Sequence, residues 1–266
     1  MTGTILEKIF NDKRVRVDAA KRAVDTVELS DRAREMRSVQ PSHRLKDALS
    51  DKSRINIIAE FKKASPSKGV INDGVEPADI ARLYEAGGAV AMSVLTEEDH
   101  FNGSLDDLRS VRAAVDLPIL RKDFIFDEFQ IFQAAEAGAD AILLIAAMLE
   151  NDEIERLRTV AEDDLGMDAL IEVHTFEELE RVKLAGATLI GVNNRDLKSF
   201  QVTLDVSREL IKHKPEAAIM VAESGIQTLA DIEELQGLGY SGFLIGETLM
   251  RSGDPAGELR RLRDES

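Results

Sequence analysis

The sequence predicts a closed (β/α)8 barrel, and three observations carry that prediction. First, from Ile55 onward eight short β-branched runs alternate with amphipathic stretches. Second, the runs are almost wholly apolar, as strands buried on both faces of a parallel sheet must be, and the segments between them are long enough for crossover helices. Third, AGGAVAMSV, AGADAILLI, AGATLIGVN and LGYSGFLIG each set a glycine at a helix end just before a strand. These glycines, Gly88, Gly138, Gly186 and Gly239, lie 50, 48 and 53 residues apart. Each period therefore holds two strand–helix units, and four periods hold the eight of a barrel. A doubly wound open sheet alternates in the same way, but it more often carries a glycine-rich phosphate loop after its first strand, and INIIAEFKKASPSKG has none.

The chain opens on a stretch without a strand. Residues 4–17 and 18–37 are charge-rich, with apolar residues at helical spacing such as Ala20, Val24 and Val27, so residues 1–50 read as a helical N-terminal extension. The eight strand runs follow: INIIAEF, AVAMSVL, LPILRKDF, DAILLIA, ALIEV, LIGVNN, AIMVAES and GFLIG. They use up the chain, so residues 1–266 make one barrel domain with its extension, and no second barrel fits.

Composition narrows the function. Hydrophobic residues make up 44% of the chain and charged residues 32%, which excludes a disordered or fibrous protein. Fifty acidic residues against 34 basic ones give a net charge of −16. That sign is wrong for a nonspecific grip on nucleic acid or anionic membrane, so an anionic ligand must meet a local basic pocket. The acidity itself serves solubility or salt adaptation. The absence of cysteine excludes disulfides, thiolate metal sites, iron–sulfur clusters and a cysteine nucleophile. His43, His100, His174 and His213 form no pair at metal-ligand spacing, so no metal is expected. The opening residues lack the apolar run of a signal peptide, and the longest uncharged apolar run, 141–149, is half a membrane span; a cytoplasmic protein is expected.

In such a barrel the active site lies at the C-terminal ends of the strands. Glu60 and Lys62 close the first run, Lys122 and Asp123 the third, and Glu172 the fifth. Asn193, Asn194 and Arg195 close the sixth, and Glu223 and Ser224 the seventh. Leu170 shares a strand face with Glu172, and Gly191 with Asn193, so where the apolar partner points inward the polar one does too. One such residue alone can meet water or a salt bridge. Two lysines and at least two glutamates on one ring of strand ends need a function, because each desolvated charge needs a partner. A lysine in a low-dielectric pocket beside a second cation has its pKa lowered, as a general acid near neutral pH requires, and that lowering is the expectation here.

Two further segments point to an anion. AESGI and LIGETLM present backbone N–H groups where these barrels commonly hold a phosphate, and Ser224 adds a hydroxyl. The Glu247 carboxylate would repel phosphate if it pointed inward, so only its backbone is assigned. FKKASPSKGVI sets Lys62, Lys63, Lys68 and Ser65 around Pro66, either as a solvated basic turn or as a loop that closes over an anionic substrate.

IIAEFKKASPSKGVI, LPILRKDFI, ALIEVH, IGVNNRDL, VAESGI and FLIGETLM, in this order, resemble the indole-3-glycerol phosphate synthase family, over essentially the whole chain. The resemblance implies conversion of 1-(2-carboxyphenylamino)-1-deoxyribulose 5-phosphate into indole-3-glycerol phosphate, CO2 and water in tryptophan biosynthesis, without metal or organic cofactor. It implies Lys122 as the general acid that polarises the ribulose carbonyl, and Glu172 as the base or acid of the later dehydration. Glu60 and Asn193 would orient the substrate, and Lys62 would meet its carboxylate or phosphate. Ser224, Gly225, Gly246 and the Glu247 amide would hold the phosphate, with Ser65, Arg195 and Glu223 in the same substrate-binding set. The family's extension packs over the barrel mouth and helps enclose the anthranilate ring; a solubilising cap is the other reading of residues 1–50. The expected partner is one phosphorylated, carboxylated small molecule, with no nucleic acid and no membrane. A monomer is expected, with association with other tryptophan-pathway enzymes left open.

Two rival readings remain. A phosphoribosylanthranilate isomerase shares the barrel but relies on a Cys/Asp or Asp/Asp pair at the first and sixth strand ends, where this chain has Glu60 and Asn193. A catalytically silent barrel that binds a phosphorylated metabolite would have no need of both acid and base.

Overall fold

The computed structural model describes residues 5–66, 69–71, 74–197 and 199–264. Eight parallel strands close into a barrel: β1 (Ile57–Phe61), β2 (Ala91–Leu95), β3 (Ile119–Lys122), β4 (Ala141–Ile145), β5 (Asp168–Val173), β6 (Leu189–Asn193), β7 (Ile219–Glu223) and β8 (Gly242–Ile245). Each pairs with its successor, and β8 returns to β1 in the register Ile57↔Phe243 to Ala59↔Ile245. Every strand expected from the sequence forms, with bounds moved by at most two residues. Gly88, Gly138, Gly186 and Gly239 have φ of 83°, 91°, 76° and 116°. Only glycine takes that region without steric cost, which explains why glycine recurs where the chain leaves a helix for the next strand.

The extension holds three helices: α1 (Ile5–Ala23), α2 (Thr26–Ser38) and α3 (Arg44–Leu49). The expected break after residue 17 is absent; α1 runs on to Ala23. The chain breaks where Asp25 accepts the N–H groups of Val27 at 2.8 Å and Glu28 at 3.3 Å and so caps α2. The crossovers carry α4 (Pro77–Ala86), α5 (Leu105–Ala114), α6 (Glu128–Glu136), α7 (Asn151–Thr159), α8 (Phe176–Leu184), α9 (Asp205–Leu210) and α10 (Leu229–Leu238), with α11 (Glu247–Arg251) and α12 (Pro255–Leu262) after β8. A short hairpin after β1, Ala64–Ser65 with Gly69–Val70, was not foreseen. Among the described residues no helix is long and apolar enough to cross a membrane.

Two apolar clusters build the core. One lies between strands and helices, and it takes in Val17, Leu29 and Ala33 of the extension. The other fills the barrel with inward residues such as Ile58, Leu120, Leu143, Leu170, Val221 and Leu244, and is closed from below by Leu45 and Leu49 of α3. Burying each leucine contributes about 2 kcal/mol. Buried Asp168 fixes this plug by accepting the N–H groups of Leu45 at 2.9 Å and Lys46 at 3.0 Å. Buried Asp140 gathers Arg37, Arg44 and Arg112 beside it, at 3.3, 3.3 and 2.9 Å. At the opposite end, Lys13 of α1 is buried and reaches Glu98 at 2.8 Å and Asp123 at 2.9 Å, so the extension is tied to both ends of the barrel.

Candidate active site

Strand alternation decides what faces the barrel axis. The inward positions climb from Ile58, Leu120, Leu170 and Val221, all apolar, to Glu60, Lys122, Glu172 and Glu223 two residues later. The apolar filling thus gives way to a charged floor at the C-terminal face. Above it opens a cavity of about 690 Å³. The twelve residues to which the family resemblance gives a catalytic or binding role all line it: Glu60, Lys62, Ser65, Lys122, Glu172, Asn193, Arg195, Glu223, Ser224, Gly225, Gly246 and Glu247.

Lys122 stands at the centre of the floor, donating to Glu223 Oε2 at 2.6 Å and to Glu172 Oε2 at 3.1 Å. Lys62 donates to Glu60 Oε1 at 2.6 Å. Two glycines make room for these carboxylates. A Cβ on Gly191 would meet Glu223 Oε1 at 2.0 Å, and one on Gly246 would meet Glu60 Oε1 at 2.5 Å. Asn193 is held by its own loop, its Oδ1 accepting the Arg195 N–H at 3.0 Å.

The expected lowering of the Lys122 pKa is overturned. Burial alone would strip its proton, but Glu223, Glu172 and Glu60 outweigh burial and hold the ammonium protonated well above the usual lysine range. The side chains that dominate its surroundings are carboxylates rather than a second cation. Burial also disfavours the charged form of Glu172, yet Lys122, His174 and Asn193 keep it ionised well below the usual carboxylate range. In Glu223 burial wins: with Glu172 and Glu60 adding to it, the carboxyl is pushed up to about 7 despite Lys122. The floor thus holds one firm cation, one firm anion and one group that exchanges a proton near neutral pH.

The lysine cluster after β1 separates. Lys62 lines the cavity, whereas Lys63 turns away and donates to both carboxylate oxygens of Asp107 on α5 at 2.8 Å. Lys68 lies outside the described residues. Two of the strand-end residues are largely structural. Asn194 is fully buried and binds the carbonyls of Glu223 and Ser224, both at 3.1 Å. Asp123 accepts from Thr96 at 2.6 Å and Arg121 at 2.8 Å beside Lys13. The Glu247 carboxylate pairs along its own helix with Arg251 at 3.2 Å. Ser224 and Gly225 follow one another with φ of 65° and 83°, a turn that brings consecutive backbone groups to the rim.

One wall of the cavity is apolar, and sequence reasoning missed most of it: Ile5, Leu6 and Ile9 of α1, with Phe101 and Phe124, whose ring centroids lie 6.2 Å apart. Phe124 sits in the LPILRKDF run and was legible as a strand-end residue; the α1 residues carry no signal beyond helical spacing. Arg251 also lines the rim and was not singled out. Among the described residues no group of three or more His, Asp or Glu side chains is arranged to hold a metal ion.

The family model of indole-3-glycerol phosphate synthase matches residues 6–262. A protein of that name from Carboxydothermus hydrogenoformans is 47% identical over 265 residues, covering 97% of this chain and 98% of its own. Another of that name, from Neisseria meningitidis, is 46% identical over 261 residues with the same coverage. Among solved structures, 3-hexulose-6-phosphate synthase from Salmonella typhimurium matches with a TM-score of 0.64 at 15% identity, over 78% of this chain and 96% of its own. Thiamine phosphate pyrophosphorylase from Pyrococcus furiosus matches with a TM-score of 0.59 at 17% identity, over 82% of this chain and 96% of its own. At those identities the likeness is one of fold.

Proposed function

This chain belongs to the indole-3-glycerol phosphate synthase family, and from that premise we propose how its own residues divide the labour of the reaction. The enzyme is a carboxy-lyase of tryptophan biosynthesis that closes the indole ring of 1-(2-carboxyphenylamino)-1-deoxyribulose 5-phosphate and releases CO2 and water. The observation that carries the proposal is Lys122, held as an ammonium between Glu172 and Glu223 on the floor of the cavity.

Ring closure joins the ring carbon that bears the carboxylate to the ketone carbon of the ribulose chain. Electrons of the C=O bond move onto oxygen, and Lys122 is the acid that meets them. The alkoxide that develops is far more basic than the carbonyl oxygen it replaces, and the firm ammonium stabilises that charge by donating to it as it forms. The 2.6 Å bond supports Glu223, which exchanges its proton near neutral pH, as the group that restores the lysine. Attack leaves an iminium beside the carboxylate. The C–CO2 bond then breaks, and its electron pair neutralises the iminium and restores the aromatic ring. In the last step nitrogen assists departure of the hydroxyl, which takes a proton from the restored Lys122 ammonium and leaves as water, and Glu172 takes the proton from the adjacent carbon.

The other residues bind. Lys62 meets the substrate carboxylate or phosphate, and Glu60 and Asn193 orient its hydroxyls. Ser65 and Arg195 line the phosphate side, while Ser224, Gly225, Gly246 and the Glu247 amide hold the phosphate itself. Phe101 and Phe124 with the α1 residues suit the planar anthranilate ring, which supports the covering role of residues 1–50. Replacing Glu172 with glutamine tests the division of labour by mass spectrometry: it should build up a ring-closed species one water heavier than the product, and product release at the wild-type rate would refute the role.

The chain works as a single-domain cytoplasmic monomer without cofactor, and its partner is this phosphorylated, carboxylated metabolite, with no nucleic acid and no membrane. Sedimentation at one monomer mass and a single cooperative unfolding transition are the expected results, whereas two transitions would set the extension apart as a unit of its own.

A further inference from the structure

One buried titratable side chain beside the floor takes no part in the reaction as described. His174 follows β5 directly, and its ring stands between two carboxylates: Nε2 lies 3.3 Å from Glu172 Oε1, and Nδ1 lies 3.5 Å from Glu178 Oε2. Both ring nitrogens are buried, at ion-pair distance but out of hydrogen-bond alignment. Glu178 is itself fixed at the start of α8. Its Oε2 accepts the His174 backbone N–H at 2.7 Å, and its own N–H is donated to Thr175 Oγ1 at 3.2 Å. Glu172 is therefore gripped from two sides, with Lys122 of β3 on Oε2 and His174 on Oε1.

We propose that His174 is a positioning residue for Glu172, fixing from the strand-end side the carboxylate oxygen that Lys122 does not reach. The proposal rests on the reading of Glu172 as the proton acceptor of the dehydration. The charged groups that act on the pair are Lys122 from β3, Glu223 from β7 and Glu178 from α8, while Glu60 from β1 acts on Lys122 and Glu223 behind them. Burial disfavours a charged His174, but Glu172 and Glu178 outweigh it and push the ring up to about 10, so the imidazolium persists across neutral pH. This matters after ring closure. When Lys122 passes its restored proton to the departing hydroxyl, His174 is the cation that still keeps Glu172 ionised and aimed until it takes the proton.

The test is a mutant cycle on kcat, joined to a titration of the ring. Losing a charge-assisted contact that serves one step should make H174Q lose about 10-fold or more in kcat, with KM within twofold of wild type. On an E172Q background the same change should cost less than twofold, because the residue it acts through is already gone. By 15N NMR, His174 should keep its proton past pH 8 in wild type and release it at lower pH in E172Q. E178Q keeps an acceptor for the backbone N–H, lies toward the surface, and should weaken kcat in the same background-dependent way if H174Q folds poorly. A kcat within twofold of wild type in H174Q, or an equal cost in both backgrounds, overturns the proposal. Wild-type turnover in E172Q overturns the role of Glu172 itself, whereas loss in E172Q without loss in H174Q overturns only the role of His174.

Discussion

Replacing Gly191 with alanine adds one methyl group to the inner face of β6 and should disable the floor while leaving the barrel intact. The new Cβ would stand 2.0 Å from Glu223 Oε1, against an ordinary contact of 3.4 Å or more, so the carboxylate must retreat by more than about 1 Å. Oε1 has no hydrogen-bond partner among the described residues, so the empty volume over Gly191 is what admits it. Retreat stretches the 2.6 Å bond between Lys122 and Glu223 Oε2 beyond hydrogen-bond range. A hydrogen bond to a charged group is worth about 1.5–3 kcal/mol, which corresponds to roughly 10- to 100-fold in kcat if this bond orients the acid. Stability should change little. The clash is with the flexible end of a side chain, alanine costs less conformational entropy than glycine in a strand, and the backbone at Gly191 is not left-handed. Steady-state turnover and thermal unfolding, run on the same preparation, check both halves. A folded G191A protein with kcat within twofold of wild type would show that the Glu223–Lys122 contact does not matter to the chemistry.

Glu223 should also leave a mark on stability against pH. Its carboxyl titrates near 7 in the folded protein and near 4.5 unfolded, so the folded state binds the proton more tightly. Its contribution is full below about pH 4.5 and is lost as pH rises through 7; denaturant titrations at pH 5 and 8 should show that decline in wild type and a flatter profile in E223Q. Lys13→Met leaves buried Asp123 with Arg121 as its remaining cation, and should cost about 3 kcal/mol by chemical denaturation. Because α1 hangs on that lysine, hydrogen exchange should quicken across residues 5–23 and KM should rise; unchanged protection there would mean that α1 is held by its apolar face instead.

The barrel was legible because its signals are local: eight apolar runs, and glycines that mark the left-handed residue before alternate strands. The charged floor was legible too, since strand alternation carries Leu170 and Glu172 to the same side. What resisted reading depends on distant partners. The extension breaks at Asp25 rather than near residue 18 because a single capping side chain outcompetes continued helical periodicity. Nothing short of the closed barrel shows that Leu45 and Leu49 plug its base. Lys122 was expected to lose its proton easily, but its pKa is set by Glu172 and Glu223, 50 and 101 residues away, and they reverse the sign of the shift. Lys63 reads as part of a basic cluster until the fold presents it with Asp107.

The most direct test of the central claim, that Lys122 is the acid of ring closure, uses the chain's own composition. With no tryptophan and two tyrosines, the protein is nearly dark where indole fluoresces. Wild type mixed with 1-(2-carboxyphenylamino)-1-deoxyribulose 5-phosphate in EDTA should develop indole emission. Lys122→Ala should fold normally and lose about 10²–10⁴-fold of that rate, roughly 3–5 kcal/mol of transition-state stabilisation. Near-normal growth of emission in the mutant, or a wild type that binds the substrate calorimetrically yet stays dark, would contradict the account.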